Sequence, residues 1–205
     1  MGLPTQDEAL VLAWAKISTL NPKTVAADSG ASLTSGGKRF RLRVMDRECS
    51  IDLVTKEIVW TGDRPAPVSP YLQVLVLHYL AGAGKTQLAN QLVTFRDFEG
   101  GAVYYPAFKS RAIDLIAREF GSRPEILKHI GEVMRAEPVK TGAVGMKVYF
   151  FPKVPLIVTL WVGDEEVPAS ANIVFDASAG KILPTEDLSV VGGALARRLV
   201  EISKR

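Results

Sequence analysis

The carboxylates Asp164, Glu165, Glu166, Asp176, Glu186 and Asp187 are the side chains in this sequence best placed to do chemistry. Each stands at the end of an expected element. An apolar β-rich run from Leu156 to Val162 ends at Gly163 and the acidic triplet, and a second run, Ile173 to Phe175, ends at Asp176. Thr185-Glu186-Asp187 then opens a helix. If those ends meet at one edge, Asp164, Glu166, Asp176 and Glu186 can offer hard oxygen ligands to Mg²⁺ or Ca²⁺. Two of them could instead divide acid and base roles. The competing reading is structural: Gly163-Asp164 makes a hairpin turn, and Glu186 and Asp187 face the positive end of a helix.

Other residues offer different chemistry. Arg39, Arg41 and Arg43 alternate with Phe40, Leu42 and Val44, so one face of a strand carries three guanidinium groups that could hold an anionic ligand. Such a face more often is solvated and guards a strand against edge pairing. No aromatic residue interleaves there, as nucleic-acid stacking would want. His78 lies inside an apolar helical run and is a candidate ligand contact, against a plain core role. Gly82-Ala-Gly-Lys85-Thr86 matches the tail of a phosphate-binding loop, but Tyr79 stands where that loop needs its first glycine. A helix end punctuated by glycine explains the same residues, leaving a degenerate nucleotide site as an alternative. No G-x-S-x-G elbow recruits a serine as nucleophile.

Composition bounds the rest. A chain of 205 residues suits one domain. Its 47% apolar and 23% charged residues are those of an ordinary globular protein. The net charge of +3 is too mild to argue for nucleic acid. Cys49, the single cysteine, excludes an internal disulfide, a four-cysteine cluster and a cysteine-rich zinc site within the chain. It reads as a small hydrophobe. The acidic start, Met1-Gly-Leu-Pro-Thr-Gln-Asp-Glu8, lacks the basic and apolar regions of a signal peptide, and the run from Tyr71 to Ala83 is too short for a bilayer. The expectation is a cytoplasmic protein with no membrane partner.

These residues must be held by an α+β fold: antiparallel sheets, an N-terminal meander and C-terminal strands, packed with helices in a single domain. Residues 1–64 supply N-terminal helices and the meander, 65–137 central helices, and 138–205 the C-terminal strands and a closing helix. Ala9, Leu10, Ala13, Ile17 and Leu20 mark a first helix that Thr5 can cap. Ser69-Pro70 opens a helix to about Ala81 that is apolar nearly all round and so belongs at the centre. Tyr104 to Phe120 is amphipathic, and Pro124 starts another helix. The final helix runs from Glu186 to about Ile202.

Several local patterns together resemble a known family. They are Leu77-His-Tyr-Leu80, Phe95-Arg-Asp-Phe98 before Gly100-Gly101, and Phe151-Pro-x-x-Pro-Leu156. Gly163-Asp-Glu-Glu-x-Pro-Ala-Ser170, Val174-Phe-Asp176 and Leu183-Pro-Thr-Glu-Asp-Leu188 complete the set. The chain is similar, from about Val25 to Leu199, to an uncharacterised family of anaerobic bacteria and archaea whose function is unknown. Val167 departs from an aromatic expected in the acidic turn. Some members are joined to, or encoded near, iron–sulfur and corrinoid proteins. The resemblance thus implies a non-catalytic accessory role beside an iron–sulfur or corrinoid partner, and any cluster would belong to that partner. It implies no catalytic residues. The metal-dependent enzyme and the nucleotide-binding protein stand as alternatives.

Overall fold

A computed structural model describes residues 5–205. Its helices and two five-stranded antiparallel sheets make an α+β fold, as the patterns require. Contacts divide the chain into two compact units.

The first unit holds the chain up to Gln87 with Phe151–Lys153 and Lys181–Leu183. Helix α1 (Gln6–Ser18) starts on a reciprocal cap: Thr5 and Glu8 each satisfy the other's backbone N–H. It buries Ala13, Trp14 and Ile17. Helix α2 (Pro22–Ser29) begins under the Asn21 side chain and ends at left-handed Gly30. The meander follows: β1 (Ser32–Thr34), β2 (Arg39–Val44), β3 (Arg47–Asp52), β4 (Glu57–Trp60) and β5 (Ala66–Pro67), paired in that order. Period-two alternation puts Phe40, Leu42, Val44, Cys49, Ile51, Ile58 and Trp60 on the buried face. Helix α3 (Pro70–Gly82) packs against α1 and α2 and buries Leu72, Leu75, Val76, Leu77, Tyr79 and Leu80. Tyr79 stacks on Phe151 at 4.3 Å, and its hydroxyl donates to the Ser29 carbonyl at 2.6 Å.

Cys49 is fully buried, and desolvation above all pushes its thiol up to about 12. We expect a thiol reagent at pH 8 to leave the native protein unmodified and to label it stoichiometrically in denaturant, as mass spectrometry would show.

The second unit runs from Leu88 to Phe150, from Val154 to Gly180 and from Pro184 onward. Strand β6 (Leu92–Thr94) leads through a tight turn to helix α4 (Gly101–Phe108). A wide π turn, Lys109–Ile113, joins α4 to α5 (Asp114–Phe120), and α6 (Pro124–Val133) follows. Strands β7 (Glu137–Pro138), β8 (Val144–Phe151), β9 (Val154–Trp161) and β10 (Ser170–Asp176) complete a sheet ordered β6-β10-β9-β8-β7. Helices α7 (Ala179–Ile182) and α8 (Thr185–Ser203) close the chain. The core of this unit is aromatic: Phe95 stacks on Phe108 at 4.2 Å, and both lean on Phe175. Among the described residues, no helix is long and apolar enough to cross a membrane.

Candidate functional site

A cleft of about 470 Å³ opens in the second unit where α4 and α8 begin. Its first wall is set by local rules. Thr94 and Asp97 cap each other's backbone, so the chain coils tightly over Phe95–Asp97 directly after β6. Gly100 (φ 70°) takes the left-handed conformation that turns the chain into α4. A Cβ on Gly101 would stand 2.1 Å from the Phe95 carbonyl oxygen, so only glycine lets α4 start this close.

The second wall is the start of α8. Thr185 Oγ1 donates to the Glu99 carbonyl at 2.7 Å, and the Tyr104 hydroxyl donates to the Glu186 carboxylate. That bond to Glu186 is the main reason the Tyr104 hydroxyl is held above its ordinary value. Asp97 is shifted the other way, first by the Thr94 hydroxyl and then by the Thr94 N–H. Phe98, Tyr104 and Pro184 give the cleft apolar ground, and Asp97, Glu99 and Glu186 line it with carboxylates. Such a surface suits a ligand with an apolar body and hydrogen-bond donors at its edge.

A smaller cavity of about 170 Å³ lies beside Asn90, Leu92, Lys147, Ile157 and Asp176. Asp176 is only 4% exposed, yet all its bonds go to the protein. Oδ1 accepts from Ala89 N at 2.8 Å, Ser178 N at 2.9 Å and Ser178 Oγ at 2.5 Å, while Oδ2 accepts from Asn90 N at 2.7 Å. Burial pushes this carboxyl up, but the Ser178 hydroxyl and the three N–H groups outweigh it and leave it below its ordinary value. Asp176 is a clasp on the segment before β6.

The four carboxylates expected to share a metal are not brought together. Asp164 and Glu166 sit in the loop beyond the Trp161–Ser170 pair, whereas Asp176 ends β10. The six residue steps from Ser170 to Asp176 separate them by roughly 20 Å at ~3.3 Å per residue. Antiparallel pairing is the cause: it puts consecutive connections at opposite ends of a sheet. Asp164 instead accepts from Glu166 N at 2.9 Å and Val167 N at 2.8 Å, which makes it a turn residue. Glu186 alone of the four lines the cleft. Among the described residues, no group of three or more His, Cys, Asp or Glu could hold a metal ion.

The arginine strand lies inside its sheet, between β1 and β3, so it does not guard an edge. Arg39 pairs with Asp52 at 2.7 Å, directly across on β3, and Arg41 approaches Glu48 at 3.7 Å. Arg39 and the turn N–H groups of Thr55 and Val54 hold Asp52 at about 2. Arg43 Nε donates to the Met45 carbonyl at 2.9 Å. His78 is half-buried on α3. The Gly82-Ala-Gly-Lys85 fragment follows a helix and precedes residues that form no helix, so the strand–loop–helix frame of a phosphate loop is missing.

Glu99, Tyr104 and Thr185 were not legible as site residues. Gly100-Gly101 and the Thr94/Asp97 cap signal a tight turn before α4, but nothing in the sequence places that turn beside Thr185.

The fold and cleft thus define an α+β protein with a ligand-sized cleft at two helix starts. The chain belongs to the family described as domain of unknown function DUF3786, whose model matches residues 21–198. No curated protein matches the chain, and no solved structure does.

Proposed function

We propose that this chain is a non-catalytic binding protein whose ligand seats in the cleft between the starts of α4 and α8. The observation that carries the reading is how the cleft spends its polar groups. The Tyr104 and Thr185 hydroxyls and the Asp97 carboxylate are each engaged in bonds that shape the walls. Glu99 and the remaining carboxylate oxygens face ligand as acceptors, beside aromatic ground. The resemblance to a family linked with corrinoid and iron–sulfur proteins supports an accessory role in anaerobic metabolism. The primary amides around a corrin ring are donors of the kind these carboxylates accept, and the cleft volume suits one edge of such a ring.

A thermal-unfolding screen against cobalamin, Mg²⁺, Ca²⁺ and Mg·ATP tests this. Cobalamin at about a hundred times its Kd should add about 2.7 kcal/mol of stability. Glu186→Gln and Tyr104→Phe should weaken that gain. A shift with a bare divalent ion would overturn the reading in favour of a carboxylate metal site, and a shift needing ATP in favour of Lys85. A cobalamin shift that ignores both substitutions would remove the cleft.

A further inference from the structure

One wall of the cleft is set by a glycine that the backbone does not require. Gly180, in the short helix α7, lies outside the left-handed region, so any residue could adopt its conformation. Alanine is the better helix former there. What alanine cannot do is share the space. A Cβ on Gly180 would stand 2.8 Å from Phe98 Cδ1 and 3.1 Å from Phe98 Cε1, and the third atom it would approach, at 4.0 Å, is Phe98 Cγ. The Phe98 ring is what keeps that position bare. Both residues line the cleft.

This contact differs from the one at Gly101, where a Cβ would meet the Phe95 backbone. A side chain can turn where a carbonyl cannot. The freedom of Phe98 is one-sided, however. Its ring meets Phe175 in a T-shaped pair at 5.5 Å and Phe95 in another at 6.4 Å. Both of those rings are fully buried in a close-packed core and cannot give way. Phe98 itself is only half-buried. Pushed from Gly180, it has the cleft as its open side.

We propose that Gly180 is a positioning residue that keeps the cleft open. It lets Phe98 lie back against Phe175, and the side of that ring facing the cleft carries a flat apolar group of the ligand. That role rests on the cleft being the ligand site, as proposed above. Ring contacts reward a flat apolar group, and primary amides on the rim of such a group suit the carboxylates of Glu99 and Glu186 beside it.

Benzamide, a flat ring with one primary amide, is the probe, titrated into the protein and followed by NMR. Saturable shifts at Gly100, Tyr104 and Thr185 are expected in the native protein. Gly180→Ala should fold and, even without benzamide, lose the NOEs between the Phe98 and Phe175 rings. It should weaken benzamide binding by about tenfold, the scale on which overpacking acts. With Phe98→Leu already in place, the same alanine should change binding by less than about twofold, because its effect passes through the ring. No saturable shift at the cleft residues of the native protein would remove the cleft and the role of Gly180 with it. Four other results would overturn that role and leave the cleft standing: binding that Gly180→Ala does not weaken, ring NOEs that survive it, an equal loss in the Phe98→Leu background, or a Gly180→Ala protein that does not fold.

Discussion

Asp176→Ala is expected to destabilise the protein by about 3 kcal/mol, measured by urea unfolding at pH 7. The carboxylate accepts four hydrogen bonds at 4% exposure. Removing it strands the buried N–H of Ser178 and frees those of Ala89 and Asn90, which lie on exposed residues. A buried unsatisfied donor costs about 1–3 kcal/mol, and the other two lose a charge-assisted bond each. Partial hydration of the vacated space keeps the sum below the upper limit. The pH dependence has a definite sign. The folded carboxyl lies below its ordinary 3.8, so its contribution is fully present above that value. It is lost as the pH falls through the folded value. The native protein should therefore weaken below pH ~4, with this contribution missing from Asp176→Asn. Equal stability of Asp176→Ala and the native protein at pH 7 would show that the clasp is not formed.

Gly82→Ala is expected to cost about 2–3 kcal/mol despite occupying the last turn of a helix. Two effects compete. Alanine gains roughly 1 kcal/mol over glycine in a helix interior. Against that, its Cβ would stand 2.1 Å from the Ile182 carbonyl oxygen, and the obstacle is backbone rather than a movable side chain. Overpacking of this kind costs about 1–3 kcal/mol and occasionally more, so the clash decides the sign. Lys85→Ala, at an exposed position three residues on, should change stability by less than about 0.5 kcal/mol. The pair of results separates a packing glycine from a phosphate loop. A stable Gly82→Ala protein would mean that the approach of Ile182 is looser than the structure has it.

Some elements could be read directly because local physics suffices for them. The period-two alternation of Phe40, Leu42 and Val44 against three arginines describes a strand with one buried face, and β2 is that strand. The uniformly apolar run after Ser69-Pro70 demanded burial, and α3 has it. The final helix was expected to bury Leu188, Val191, Leu195, Leu199 and Ile202; the first four are buried, and Ile202, in the last turn, is only half-buried. It also buries Gly192, Gly193 and Arg198, because a helix seated in the core meets neighbours over more than one stripe.

The site resisted the same reading. The carboxylates looked like a set because each ended an apolar run, but which ends coincide depends on strand direction. Asp164 and Asp176 bracket one strand of an antiparallel pair and so part company. Asp176 reads as a free acid in the sequence; its partners Ala89 and Asn90 are 87 and 86 residues away. Tyr104 reads as one residue of a helix stripe, and its partner Glu186 is 82 residues on.

By itself, then, the sequence determined the α+β class, the elements and their buried faces, because periodicity, caps and turn residues act over a few residues. Only the tertiary structure decided which charges are spent on the fold and which stand open. It committed Asp164, Asp176, Arg39 and Arg41 to partners and gathered Glu99, Tyr104 and Thr185 around a cleft. Those outcomes follow from strand order and helix approach, which join residues far apart in the chain and leave no local mark.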